Sequence, residues 1–341
     1  MKLLSVIIPT YNMEKYLTTC LDSLLVDKEC SKFLEVLIIN DGSKDSSSQI
    51  AHTYADKYPD VFIVIDKENG NYGSCINRGL KEATGKYIKI LDADDHFYAE
   101  GLDLLLKRLE NLESDLVITD FHIINEAGKI TQKCKFNLPK DNEHLFEQYC
   151  NTSDFYNMQM HAVAYNRKVF NDLNYHQTEG ISYTDQEWMF YPMVAVKTFT
   201  YTSVPVYRYL LGRMGQTMSD KNVERRLTQA LKIIFRATNY LNDIEVDNKV
   251  YKYLNKRMAF MLATSYKDLL SIKKRNRILE IEKEVLNINP TFYDSLKNEP
   301  LYSGIIPYKF INGMRNGNIA FFNFMVWFYR LVLEVKSYMI R

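Results

Sequence analysis

Three carboxylates, Asp92, Asp94 and Asp95, directly follow the apolar run Tyr87-Ile88-Lys89-Ile90-Leu91. A strand there delivers all three to one end of a sheet. Like charges crowded in this way repel unless a cation or hydrogen bonds compensate them. A hard divalent ion, Mg²⁺ or Mn²⁺, suits such oxygens and leaves coordination positions for phosphate. An ion so placed neutralises charge developing on a nucleoside diphosphate leaving group. Two more polar clusters, Pro9-Thr10-Tyr11-Asn12 and Asn40-Asp41-Gly42-Ser43, also end apolar runs. Taken alone, Asp41 reads equally as the cap of a following helix.

The elements that position these clusters alternate. Leu4 to Ile8, Val36 to Ile39, Val61 to Ile65, Tyr87 to Leu91 and Leu116 to Thr119 are short β-branched runs. Between them, helical spacing covers Glu14 to Leu25, the stretch from Ser43 to Tyr58, Ser74 to Ala83 and Glu100 to Leu112. Strands alternating with helices predict βαβ units and an α/β fold with a mostly parallel sheet. Ligands of such sheets bind beyond the carboxyl ends of the strands, where all three clusters sit. After Asp120 the alternation gives way to shorter strands and aromatic-rich loops. From Asp220 onward helical spacing dominates, near 221–242, 247–271 and 274–287. The expected organisation is a catalytic domain over 1–220 and a helical domain over 221–341.

Composition narrows the function. Lys and Arg number 43 against 42 Asp and Glu, which offers no basic stripe for a nucleic-acid partner. Cysteines 20, 30, 75, 134 and 150 are odd in number and lack C-x-x-C spacing, so reduced thiols in a cytoplasmic setting are expected. The apolar N-terminus stops at Pro9, too early for a signal peptide, and no apolar run reaches the length of a membrane span. No G-x-x-x-x-G-K-[ST] loop is present, which argues against a nucleotidyl- or phosphoryl-transferase.

Several segments, in order, carry a resemblance. They are Ser5-Val6-Ile7-Ile8-Pro9-Thr10-Tyr11-Asn12, Val36-Leu37-Ile38-Ile39-Asn40-Asp41-Gly42-Ser43, Glu68-Asn69-Gly70-Asn71-Tyr72-Gly73, Ala83-Thr84-Gly85-Lys86-Tyr87-Ile88 and Leu91-Asp92-Ala93-Asp94-Asp95. Over about residues 3–220 the chain resembles glycosyltransferase family 2, which implies the GT-A (Rossmann-like) fold and inverting transfer from a nucleotide-sugar, here expected to be a UDP-sugar. By that resemblance Pro9, Tyr11 and Asp41 line the nucleotide site, with Asp41 reaching the base. Asp92 faces the ribose or phosphate side. Asp94 and Asp95 are the metal and donor-sugar carboxylates, Asp94 ranked first. One departure is Ile76, which stands where the family often has Arg before Asn77; Arg78 is a nearby substitute.

The same resemblance makes Asp185, in Tyr183-Thr184-Asp185-Gln186-Glu187-Trp188, the base that takes the acceptor hydroxyl's proton. One base suffices because the metal assists the leaving group. Thr184 or Asp185 also reads as a helix cap. Trp188 is a candidate acceptor wall or a core aromatic. Arg213, in the loop Leu211-Gly212-Arg213-Met214-Gly215-Gln216-Thr217, either closes over the diphosphate or lies in a solvated linker. The Gln-x-x-Arg-Trp signature of polymer-building members is absent, so single-sugar addition is expected. The alternative is a non-catalytic nucleotide-sugar-binding partner in a glycan assembly complex.

Between Ile305 and Arg341, Lys309, Arg315, Arg330, Lys336 and Arg341 outweigh Glu334, and Phe321, Phe322, Phe324, Trp327 and Phe328 cluster. Such a segment suits the membrane interface, or packs as an ordinary helix or dimer contact. The first reading places the enzyme at the inner face of the membrane, with a glycan or lipid-linked glycan acceptor.

Overall fold

The computed structural model describes residues 1–171, 173–182, 184–213, 223–272 and 276–296, together with 320, 323, 324, 327 and 328. Gln216, Thr217 and the basic residues of the C-terminal segment lie outside the described residues. The chain divides into two units, Met1–Gln216 and Thr217–Arg341.

The first unit is built on one sheet. Its strands are β1 (Leu4–Thr10), β2 (Leu34–Asn40), β3 (Phe62–Asp66), β4 (Tyr87–Ile90), β5 (His96–Phe97), β6 (Leu116–Ile124), β7 (Ile130–Cys134), β8 (Glu143–Leu145), β9 (Val163–Asn166) and β10 (Thr198–Leu210). They run in the order β3-β2-β1-β4-β9-β6-β10-β5, with β7 on β6 and β8 on β10. β3, β2, β1 and β4 are mutually parallel, as are β6 and β10, while β9 joins the two groups antiparallel to β4 and β6. β1, β2 and β4 are buried along their whole length, which explains their continuous apolar character. Each fully buried Val, Leu or Ile among them contributes about 1.5–3 kcal/mol.

β1 runs two residues beyond the expected Ile8 because Pro9 costs no ladder bond. Ile7 O accepts from Leu91 N at 3.0 Å and closes the pairing toward β4. Pro9, two residues on and facing the same side, lies past that end, while β1 and β2 stay in register to Thr10 and Asn40. β6 also outruns its predicted end at Thr119, because the later β10 pairs with it through Ile124.

The second unit is helical over its described residues: Val223–Tyr240, Asn248–Ser271, Asn276–Ile288 and Pro290–Ser295. Leu227, Leu231 and Ile234 are buried at helical spacing on the first, Leu254, Met258 and Leu262 on the second, and Ile278, Ile281 and Val285 on the third. Among the described residues no helix is long and apolar enough to cross a membrane.

Candidate active site

The turn after β4 separates the three carboxylates. Asp95 N donates to Asp92 O at 2.9 Å, folding the loop so that Asp92 and Asp94 stay partly exposed while Asp95 is buried. Tyr207, on β10, donates its hydroxyl to Asp95 Oδ2 at 2.6 Å and accepts from Asp92 N at 3.1 Å. Leu210 N donates to Asp95 Oδ1 at 2.7 Å. Both Asp95 oxygens therefore tie the loop to β10. Asp95 is an anchor of the loop as well as a candidate ligand: one of its oxygens lies within 4.8 Å of donor atoms on Asp92 and His161, a set able to hold a metal ion.

Crowding has the expected electrostatic cost. Burial, then the neighbouring Asp94, pushes Asp92 up to about 7; Asp185 adds to the rise, while a Tyr72 hydrogen bond and Arg213 oppose it. Burial and Asp94 also raise Asp95 well above the carboxylate range. A divalent cation would relieve both, so the donor set fits one. Asp94 Oδ2 accepts from Arg213 Nε at 2.5 Å, and the guanidinium lies 5.2 Å over the Tyr16 ring.

Beneath the loop lies a pair the sequence reading missed. Lys89 is buried in β4, and its ammonium donates to His161 O at 2.7 Å and Val163 O at 3.1 Å. The His161 ring stacks on Tyr209 with centroids 4.3 Å apart. Burial and then Lys89 hold its imidazole down to about 3, which keeps it neutral with a nitrogen lone pair to offer. The only sequence signals were a Lys inside an apolar strand and one isolated His.

Asp41 is buried, and its carboxylate accepts from Gly70 N and Asn71 N at 2.9 Å each and from Lys67 Nζ at 2.5 Å. Gly70 is the N-cap of the helix Asn71–Glu82, which lacks a side-chain cap of its own. Asp41 thus caps that helix from β2, with its charge at the positive end of the helix dipole. Its oxygens also serve the fold through these three bonds. Pro9 is buried too, whereas Tyr11 is 46% exposed at the end of β1 with its ring open to a ligand.

The turn that Asp41 pins carries the segment leading to Asp185. Gly180 N donates to Gly70 O at 3.0 Å, and Ser182 Oγ meets Asn71 Oδ1 at 3.4 Å. A Cβ on Gly73 would stand 2.2 Å from Thr178 O, so only glycine permits this approach. Asn77 clamps the segment from the same helix: its Nδ2 donates to Gln177 O at 3.0 Å and Glu179 Oε1 at 2.9 Å, and its Oδ1 accepts from Gln177 N at 2.8 Å. Glu187, buried, accepts from Thr178 N and Oγ1 at 2.7 Å each. Asp185, partly exposed, opens the short helix Asp185–Trp188. Its charge reaches Asp92, Tyr72 and Tyr209, which places it on the acidic loop's side of the sheet. Thr184 makes no capping bond with its side chain.

Trp188 does not wall an acceptor. It is fully buried, stacked on Phe170 at 5.4 Å and edge-on to Tyr165 at 5.1 Å. The core reading is the one realised, because the short helix turns this ring inward.

The chain is similar to known proteins. Residues 5–173 match the family model described as "Glycosyl transferase family 2". The chain is 34% identical over 152 residues to the uncharacterized glycosyltransferase MG025 homolog of Mycoplasma pneumoniae, which spans 40% of this chain and 50% of that one. The chain spans about half the length, or less, of the curated relatives it matches first. Among solved structures, S. aureus TarS 1–349 in complex with UDP-GlcNAc aligns with a TM-score of 0.72 at 22% identity, over 97% of this chain and 92% of that one. The mannosyltransferase PcManGT of Pyrobaculum calidifontis, in complex with GDP-Man and Mn²⁺, aligns with a TM-score of 0.51 at 16% identity, over 86% and 82%. The fold is GT-A.

Proposed function

Because residues 5–173 carry the domain that makes this chain a glycosyltransferase of family 2, we propose that it transfers a single sugar, with inversion, from a UDP-sugar to an acceptor hydroxyl. The observation that carries this reading is the Asp92 carboxylate, which accepts from Tyr72 at 2.7 Å and feels the charges of both Asp94 and Asp185. The UDP assignment is supported by the UDP-GlcNAc complex of TarS. Asp94 and Asp95, with Asp92 beside them, would hold Mn²⁺ or Mg²⁺, and PcManGT provides a fold relative with Mn²⁺. Bound there, the ion supplies positive charge against the diphosphate as it leaves.

The chain's own residues do the rest. Tyr11 offers its exposed ring to the nucleotide base or ribose. Arg213 exchanges Asp94 for the diphosphate and so shields the leaving group. Asp185 accepts the acceptor's hydroxyl proton as that oxygen attacks the anomeric carbon from the face opposite the diphosphate. The carbon–oxygen bond to the diphosphate breaks, its electron pair leaves on UDP, and the new glycosidic bond carries inverted configuration. Anomer-resolved NMR of slow donor hydrolysis tests this. An α-linked donor should release the β-sugar first; the α-sugar first would contradict inversion.

For the acceptor we propose a surface polysaccharide or lipid-linked glycan at the cytoplasmic face of a membrane. Phe324, Trp327 and Phe328 are exposed large aromatics at helical spacing, in a segment whose charged residues are mostly basic. Anionic vesicles should co-sediment the full chain and lose it after truncation at Gly317. Sedimentation that truncation leaves unchanged would remove the membrane reading.

A further inference from the structure

Tyr72 is the residue of the site for which neither the family match nor the mechanism above has a use. It follows Asn71, held at φ 66 by the turn that Asp41 pins, and it opens the helix Asn71–Glu82. Its hydroxyl donates to Asp92 Oδ1 at 2.7 Å and touches Met160 Sδ at 3.8 Å. Among the described residues it is the side-chain donor on the Asp92 carboxylate, and Oδ2 takes no bond from them.

We propose that Tyr72 is a positioning residue that fixes one oxygen of Asp92, leaving the other to meet the metal and the donor diphosphate, and that it holds the metal side of the site at a set distance from Asp185. The argument is geometric. Tyr207 holds the Asp92 backbone, but among the described residues no other side chain bonds its carboxylate, and a carboxylate free to rotate would spread its charge between Asp94, Asp95 and Asp185. The turn that presents Tyr72 also receives Gly180 and Ser182, on the segment that ends at Asp185. One turn therefore sets both sides of the gap. The proposal rests on the glycosyltransferase reading given above.

Tyr72→Phe tests it, because it keeps the ring and removes only the hydroxyl. Mn²⁺ binding to the full chain with UDP present, followed by electron paramagnetic resonance, needs no turnover. The expected result is an affinity about tenfold weaker, the scale of one hydrogen bond to a charged group, with an unchanged melting temperature. In an Asp92→Asn background the same substitution should have no further effect on Mn²⁺ affinity. A lower melting temperature with unchanged Mn²⁺ affinity, or equal effects in both backgrounds, would make Tyr72 a packing residue and overturn the proposal. Wild-type protein that binds neither UDP nor Mn²⁺ would overturn the functional reading as well, so the two failures are distinguishable.

Discussion

Arg213 Nε stands 2.5 Å from Asp94 Oδ2, joining residues 119 apart in the chain. Both side chains are only 14% exposed, so the pair is poorly screened. The arginine holds Asp94, and the proposed mechanism moves it from there onto the donor diphosphate. Arg213→Ala should raise the donor KM about tenfold and lower kcat, while releasing Asp94 to bind Mn²⁺ more tightly when no nucleotide is present. Steady-state kinetics and a nucleotide-free Mn²⁺ titration check both halves. Unchanged donor constants would return Arg213 to a linker role.

Asp185 is proposed to act only on the acceptor proton. Asp185→Asn should therefore lower kcat by roughly 10²–10⁴-fold and leave UDP-sugar affinity intact. Calorimetric titration beside turnover separates these effects. A large loss of donor affinity would mean that Asp185 helps build the donor site instead.

Asp41 caps the helix Asn71–Glu82, and one substitution separates that role from the base contact expected of it. Asp41→Asn keeps the shape but replaces one acceptor oxygen with a donor facing Gly70 N, Asn71 N or Lys67. The expected loss is about 1–3 kcal/mol of stability, read by urea denaturation, with selectivity among nucleoside diphosphates unchanged. Altered base selectivity with full stability would contradict the capping role.

Lys89 gives a pH signature. Burial lowers it from 10.5 to about 7. Between those values the unfolded chain keeps a proton that the folded chain has lost, so stability rises with pH by up to about 1.4 kcal/mol per unit. Below pH 7 both states are protonated and the burial cost is fully present. Lys89→Met should raise stability at pH 6.5 and abolish this rise. Denaturation midpoints at pH 6.5 and 9 that differ equally in both proteins would contradict it.

The alternation of β-branched runs with helical spacing was enough to place β1, β2 and β4 and the loops at their carboxyl ends, because parallel strands buried on both faces must be continuously apolar. The acidic loop was legible for the same reason. Orientation within the loop was not. Asp95 turns inward because Tyr207 arrives on β10, 112 residues later, and no local pattern encodes that pairing. That Asp41 caps the helix Asn71–Glu82 was not legible because the donors it serves, Gly70 N and Asn71 N, are backbone groups, invisible in residue types. Trp188 followed a candidate base and so suggested a binding wall, yet the short helix Asp185–Trp188 turns it into the Tyr165–Phe170 cluster. His161 gave only the signal of an isolated His, since its place in the site depends on Lys89 holding its backbone.

The most direct test of the central claim is UDP release from a panel of UDP-sugars, with and without Mn²⁺, by wild type, Asp94→Ala and Asp185→Asn. The account predicts slow, Mn²⁺-dependent release from one donor by wild type, loss of that dependence in Asp94→Ala, and retained donor binding without turnover in Asp185→Asn. Tight binding of a UDP-sugar by wild type with no release under any metal or acceptor would contradict catalysis and leave a nucleotide-sugar-binding partner.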